Sequence, residues 1–273
     1  MLRRAAGFVF ALALLPLASA AQGQLIIAHR GASHDAPENT LAAFNLAWEQ
    51  GADGIEADFY LTSDGRIICF HDRDTERLAG VKHVVKETTF DVLRSLEVGA
   101  WKHQRYHGER MPTIEEVIAT IPRGKMFFIE LKTGAEIVPE LVKAIEASQL
   151  DRAQIVIISF QNDAIAECER RMPDIRTQWL TGYKQQQNGL WKPTRDEVAT
   201  ALDQTRADAL GTQADPKIVD AGFLDLLCDA GHCEFGVWTV DKPQVARFYR
   251  DLGAWSITTN RPGWLREKLA ADQ

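Results

Sequence analysis

The chain has 273 residues, 45% of them hydrophobic and 25% charged, with 19 Gly, 10 Pro and a formal net charge of −7. Ordinary apolar content excludes a disordered or collagen-like chain, and the length suits one large domain or two small ones. The acidic balance argues against a general binder of nucleic acid or membrane surfaces, which recruits phosphate through clustered Lys and Arg, so any anionic ligand needs a local positive site.

Met1-Leu2-Arg3-Arg4 forms a basic head, Ala5 to Leu17 an apolar run interrupted by Pro16, and Ala18-Ser19-Ala20 a small-x-small cleavage site. That is the order of a secretory signal peptide, and the run is shorter than the roughly 18 apolar residues of a spanning helix. We expect residues 1–20 to be removed, leaving residues 21–273 as a single domain of 273 − 20 = 253 residues with net charge 29 − 38 = −9, periplasmic or secreted. No Cys follows the cleavage site, so a lipid anchor is not expected. Export would expose Cys228 and Cys233 to an oxidising compartment, and their closeness in sequence around Gly231 makes them the disulfide candidates. A zinc site using His232 lacks a second ligand pair.

Beyond the leader, β-branched and aromatic runs recur at Leu25 to His29, Gly54 to Phe59, Lys125 to Leu131, Gln154 to Ser159, Arg176 to Leu180, Asp208 to Gly211, Glu234 to Val240 and Trp255 to Thr258. Helical patterns lie between most of them: Leu41, Phe44, Trp48; Val117, Ile118, Ile121; Ile137, Leu141, Ile145; Val198, Leu202; Phe223, Leu226, Leu227; and Val245, Phe248, Leu252. Eight such units in about 250 residues predict an α/β fold of the (β/α)8 TIM-barrel class, with reactive groups at the C-terminal strand ends. A doubly wound open sheet is the alternative. Ile67 to His71 reads as a further strand, joined to the second run through a turn at Thr62-Ser63-Asp64-Gly65. The hairpin makes it antiparallel, an extension above the barrel that returns His71 near the level of Glu56 and Asp58. Residues 73–111 then read as a small insertion before a helix announced by Pro112-Thr113-Ile114-Glu115-Glu116.

Four clusters fall at strand ends or on the hairpin: His29-Arg30-Gly31, Glu56-Ala57-Asp58, His71-Asp72 and Glu130-Leu131-Lys132. Strand residues two apart share a face, so Glu56 and Asp58 point the same way. Together with Glu130 they repel unless a cation joins them, and three carboxylates make a hard oxygen site for Mg²⁺ or Ca²⁺. Pairing with Arg30 and Lys132 as a structural network is the other way to satisfy them. His29 and His71 can exchange protons near neutral pH. Arg30 offers a planar fork to phosphate oxygens and Lys132 a compact second charge. His103 and His107 are spaced like helical metal ligands but sit in a charged stretch that reads as solvated loop. Trp179 and Trp191 are candidates for the mouth or for packing, and Asn39 for the cap of the first helix.

His29-Arg30-Gly31, Pro37-Glu38-Asn39-Thr40, Glu56-x-Asp58, Leu61-Thr62-x-Asp64-Gly65, His71-Asp72, Pro112-Thr113-Ile114-Glu115-Glu116, Glu130-x-Lys132 and Trp238-Thr239-Val240, in this order from Ile27 to Pro262, resemble the glycerophosphodiester phosphodiesterases. The resemblance implies a (β/α)8 barrel that uses a divalent cation, Mg²⁺ or Ca²⁺, to cleave small-molecule glycerophosphodiesters to sn-glycerol 3-phosphate and an alcohol. It implies that His29 and His71 are the acid/base pair, that Glu56, Asp58 and Glu130 hold the metal, that Arg30 and Lys132 contact phosphate, and that Trp238 packs on the glycerol. The attacking group implied is the glycerol 2-hydroxyl, giving a cyclic phosphate that water opens. The last strand departs from the family pattern, because Gly253-Ala254-Trp255-Ser256-Ile257-Thr258-Thr259-Asn260-Arg261-Pro262 lacks both of its usual aspartates. A lysophospholipase D acting on lipid phosphodiesters and a non-catalytic periplasmic binding barrel are the alternative functions.

Overall fold

The computed structural model describes residues 24–271, so the leader expected at residues 1–20 lies outside the described residues. In chain order the strands are β1 (Leu25–His29), β2 (Gly54–Leu61), β3 (Ile67–Cys69), β4 (Met126–Leu131), β5 (Ile155–Ser159), β6 (Arg176–Thr181), β7 (Lys184–Gln185), β8 (Trp191–Lys192), β9 (Ala209–Gln213), β10 (Phe235–Trp238) and β11 (Ser256–Thr259). The helices are α1 (Leu41–Glu49), α2 (Glu76–Ala79), α3 (Phe90–Ser95), α4 (Ile114–Ile118), α5 (Val138–Ala147), α6 (Asn162–Arg171), α7 (Arg195–Thr205), α8 (Ala221–Asp229), α9 (Pro243–Asp251) and α10 (Pro262–Ala270).

Eight strands pair in parallel in the order β1-β11-β10-β9-β6-β5-β4-β2, and a β1–β2 pairing closes them into a (β/α)8 barrel. Closure buries both strand faces, which is why these runs read as nearly continuous apolar sequence. Ile27, Phe128, Val156, Ile158 and Leu180 fill the barrel. The alternate residues Ile55, Ala57, Phe127, Ile129, Ile155 and Ile157 pack outward among Phe44, Val117, Leu141 and Ile145 of the helices.

β2 outruns its neighbours. Its lower residues pair with β1 and β4, while Phe59, Tyr60 and Leu61 pair antiparallel with Cys69, Ile68 and Ile67. The hairpin therefore stands above the barrel rim, and its register carries His71 to the level of Ala57, between Glu56 and Asp58. Within residues 73–111, Leu78, Val85, Leu93, Val98 and Met111 bury against Tyr60, Ile68 and Phe70, so the segment has a small core of its own on β3. Arg94 bonds both oxygens of Glu116 at 2.5 and 2.7 Å and ties this layer to α4. The α4 start is a capping box between Thr113 and Glu116, as its sequence announces.

Two barrel helices escape the sequence patterns. α6 buries only Ala164, Ile165 and Cys168, two of them small, so its apolar stripe is faint. α10 opens at Pro262 and buries Leu265 and Leu269. Cys228 and Cys233 are joined, linking the end of α8 to the approach of β10. Among the described residues no helix is long and apolar enough to cross a membrane.

Candidate active site

β1, β2 and β4 lie side by side, and register sets His29 beside Glu56 and Asp58 beside Glu130. One ligand atom from each of Glu56, Asp58 and Glu130 lies within 4.8 Å of the others, and all three side chains are buried. Among the described residues no other group of three ligating side chains comes so close. His29, Arg30, Glu56, His71, Glu130, Lys132 and Trp238 line one cavity of about 150 Å³, with Asp58 buried beside it at 1% exposure.

The loop after β1 folds Arg30 back over these carboxylates. Arg30 and Gly31 take φ of +56° and +79°, and a Cβ on Gly31 would meet Ala43 at 2.6 Å, so only glycine fits there. A non-glycine residue at positive φ costs energy that the surroundings must supply. At Arg30 they do: its N–H donates to Glu56 Oε2 at 2.9 Å, its Nε lies 3.3 Å from Asp58 Oδ2 and its guanidinium bonds Glu38 at 3.0 Å. Lys132 Nζ lies 2.6 Å from Glu130 Oε1 and 3.2 Å from Asp58 Oδ1.

Asn39 does not cap the first helix. Thr40 does, accepting the Ala43 N–H, because the Asn39 backbone sits at φ +57° with its side chain turned inward. Asn39 Nδ2 donates to Asp58 Oδ2 at 2.8 Å and Asn39 Oδ1 accepts the Asp58 N–H at 3.2 Å. Of the tryptophans, Trp179 packs outward with its Nε1 donating to Asn162 at 2.7 Å, and Trp191 sits half-exposed on the β7–β8 hairpin outside the cavity. His103 closes a single turn by accepting the Arg105 N–H.

Both imidazoles have Nδ1 engaged. His29 Nδ1 lies 2.7 Å from Asn260 Oδ1, and its Nε2 lies 4.0 Å from Glu56 Oε2. His71 Nδ1 lies 2.7 Å from Asp72 Oδ1; Asp72 accepts from Arg77 at 2.5 Å, and Arg77 also bonds Glu38 at 2.6 Å. Trp238 closes the opposite wall, edge-on to Phe160 at 5.4 Å, next to Ile158 and Leu180. Glu38, Arg77, Asp241 and Asn260 were not singled out from sequence. Glu38 lies within a motif and Asn260 within the last-strand stretch that departs from the family pattern, but Arg77 and Asp241 carry no local signal.

Burial, then the neighbouring Asp58 and Glu130 charges, push the Glu56 carboxyl well above the usual range. Burial and Asp58 also raise Glu130, against the pull of Lys132. Burial opposes ionisation of Asp58 too, yet Lys132 and Arg30 together hold it below its ordinary value. Burial, followed by Arg30, lowers His29 to about 4, and burial lowers His71. With Glu56 and Glu130 ionised, the carboxylates Glu38, Glu56, Asp58, Asp72 and Glu130 would face three cations, Arg30, Arg77 and Lys132, and be two positive charges short, which is why burial and mutual repulsion favour protons on Glu56 and Glu130 without a cation. Glu56 Oε1 is buried without a hydrogen-bond partner. A hard divalent cation among Glu56, Asp58 and Glu130 fits both the missing charge and the orphaned oxygen.

The glycerophosphoryl diester phosphodiesterase family model matches residues 29–264. A glycerophosphodiester phosphodiesterase of Caldanaerobacter subterraneus is 30% identical over 243 residues, covering 87% of this chain and 94% of the relative. Among solved structures, an Oleispira antarctica phosphodiesterase in complex with the product sn-glycerol 3-phosphate superposes with a TM-score of 0.77 at 24% identity, covering 90% of this chain and 96% of that one. The Thermotoga maritima glycerophosphodiester phosphodiesterase superposes with a TM-score of 0.70 at 21% identity, covering 89% and 97%. The two structures share the barrel, while the family match and the full-length relative settle kinship: the chain belongs to the glycerophosphoryl diester phosphodiesterase family.

Proposed function

We propose that the protein hydrolyses glycerophosphodiesters to sn-glycerol 3-phosphate and an alcohol in a divalent-cation-dependent reaction, with His29 and His71 moving the protons. The observation that carries this reading is the convergence of three buried carboxylates, two cationic side chains and two imidazoles at one cavity. Membership of a family of glycerophosphodiester phosphodiesterases supports the reaction class, and the Oleispira relative binds the expected product.

Glu56, Asp58 and Glu130 would hold the cation, Mg²⁺ or Ca²⁺, which when bound supplies Lewis acidity at the phosphoryl oxygens. Arg30 and Lys132 offset the charge that builds on the equatorial oxygens of the five-coordinate transition state. One imidazole takes the proton of the attacking hydroxyl and the other gives a proton to the leaving alkoxide. Trp238 offers the glycerol carbons an apolar wall. Release of sn-glycerol 3-phosphate from glycerophosphocholine, abolished by chelator and restored by Mg²⁺ or Ca²⁺, is the expected result. Binding of glycerophosphodiesters without cleavage under any divalent cation would overturn it in favour of a binding barrel. A 2-deoxy analogue should not turn over if the 2-hydroxyl attacks; a normal rate defeats the cyclic route.

One observation favours a second substrate class. A second cavity that shares Phe160 and Leu180 with the first is lined also by Tyr183, Lys184, Lys192 and Glu197, and Leu190 and Trp191 are exposed on the nearby β7–β8 hairpin. An acyl chain would suit that cavity, and faster cleavage of lysophosphatidylcholine than of glycerophosphocholine would establish a lysophospholipase D. For location we propose the periplasm or the exterior, supported by the leader at residues 1–20 and the Cys228–Cys233 pair. Secreted or periplasmic product beginning at Ala21 is expected, and uncleaved chain in the cytoplasm would refute it.

A further inference from the structure

We propose that Asn260, aimed by Asp241, is a positioning residue that fixes His29 as the tautomer protonated on Nδ1, leaving the Nε2 lone pair as the site through which its proton moves. The proposal rests on the reading of His29 as a proton-transfer group. Three loops meet at this point. Asn260 follows β11, Asp241 follows β10 and His29 ends β1, so strands that are neighbours at the barrel closure bring together residues 231 positions apart.

The hydrogen-bond chemistry allows one arrangement. Asp241 accepts at both oxygens: Oδ1 from the Asn260 N–H and the Thr259 hydroxyl, each at 2.9 Å, and Oδ2 from Asn260 Nδ2 at 2.6 Å. A carboxylate only accepts, so the amide nitrogen of Asn260 has to face Asp241 and the amide oxygen has to face away. That oxygen takes the Ser33 hydroxyl at 2.9 Å and lies 2.7 Å from His29 Nδ1. A carbonyl oxygen also only accepts, so Nδ1 carries the hydrogen, and a neutral imidazole then bears its lone pair on Nε2. Flipping the amide would set its oxygen against the Asp241 carboxylate and lose the 2.6 Å bond, whereas the Ser33 hydroxyl can donate or accept and so does not choose between the orientations; Asp241 does. The Asn260 backbone is held as well, since its carbonyl accepts the His34 N–H at 3.0 Å and locks the first loop to the last.

The charge is on the outer residue of this relay and the neutral amide is next to the ring. That order dictates which substitutions fail. Asp241→Asn removes the acceptor that orients Asn260, so both amide orientations become populated. Asn260→Asp keeps an acceptor for Nδ1 but sets a second carboxylate against Asp241. Exchanging the two, Asp241→Asn with Asn260→Asp, restores one donor and one acceptor across the pair and so restores the ring's partner.

Two measurements on the full chain test this. Long-range proton–nitrogen correlation of ¹⁵N-histidine-labelled protein should show His29 protonated at Nδ1 and unprotonated at Nε2, with a mixture of tautomers in Asp241→Asn. In kinetics, Asp241→Asn and Asn260→Asp should each lower kcat by roughly tenfold to a hundredfold with KM little changed, the usual size of such orienting effects. The exchanged double variant should recover to within about threefold of the parent, a coupling that two independent structural lesions would not give. An Nε2-protonated His29, or a double variant as slow as the product of the singles, overturns the proposal. A near-normal rate for His29→Ala would instead refute the proton-transfer reading beneath it, while the Nδ1–H signature would still stand for the positioning.

Discussion

Asn39 shows how little freedom the residues under the site have. Its amide is committed at both ends to Asp58, and Cys69 Sγ donates to its oxygen at 3.3 Å, so one side chain pins the central carboxylate to the hairpin. Asn39→Ala should leave Asp58 free to rotate, weakening divalent-cation affinity by roughly tenfold to a hundredfold in calorimetric titration; unchanged affinity would show that Arg30 and Lys132 suffice to hold it. The proton carriers are tested by removal: His29→Ala or His71→Ala should each cost at least about a hundredfold in turnover, and a variant that keeps the parent rate loses its role. His29, Glu56, Asp58, His71 and Glu130 were legible because strand alternation and hairpin register are local rules. Asn39 was visible as a residue but misread, since its inward turn depends on a positive φ that only the packing against Asp58 rewards.

At the scale of elements, the β2–β3 hairpin decides the site. Without its antiparallel return, His71 would have no route back to the level of Glu56 and Asp58. Turn residues and β-branched runs announce such a hairpin, so the sequence located it within two residues. α6 and α10 were missed for the opposite reason: they present few large apolar residues, and the completed barrel rather than their own periodicity holds them. The Cys228–Cys233 link belongs at this scale, because it joins α8 to the approach of β10 across a separation of 5 residues. So short a loop contributes about 2 kcal/mol by closure entropy. Replacing both cysteines by serine should therefore lower Tm by roughly 4–8 °C at this chain size, with turnover unchanged because neither sulfur approaches the cavity. A loss of activity without loss of Tm would contradict that placement.

For the whole molecule the question is charge. A chain of net −7 nevertheless concentrates Arg30 and Lys132 at the barrel mouth, where the proposed phosphodiester would bind beside a prospective cation site. The buried carboxyls make that site sensitive to pH. Glu56 and Glu130 are raised above the ordinary carboxyl value, so the folded protein retains protons that the unfolded chain releases, and their stabilisation is lost as pH rises through the folded values. His29, lowered to about 4, acts the other way only where the unfolded ring titrates, losing stability as pH falls below about 6.5. Above about pH 6.5 the carboxyls act alone. The Tm of cation-free protein should then decline as pH is raised from there toward 8, and excess Mg²⁺ or Ca²⁺ should raise Tm more at about pH 8 than at about pH 5, where protons compete for the same oxygens. A cation effect independent of pH would mean that these carboxylates are not its ligands. The sequence by itself determined the barrel class, the eight strands, the hairpin and the candidate acid, base, metal and phosphate residues, because each follows from alternation, turn chemistry or motif within a few positions. Only the tertiary structure decided which groups orient them. Glu38 meets Arg77 and Asp241 meets Asn260 through barrel closure and the insertion, and contacts between loops of neighbouring strands leave no periodic trace along the chain.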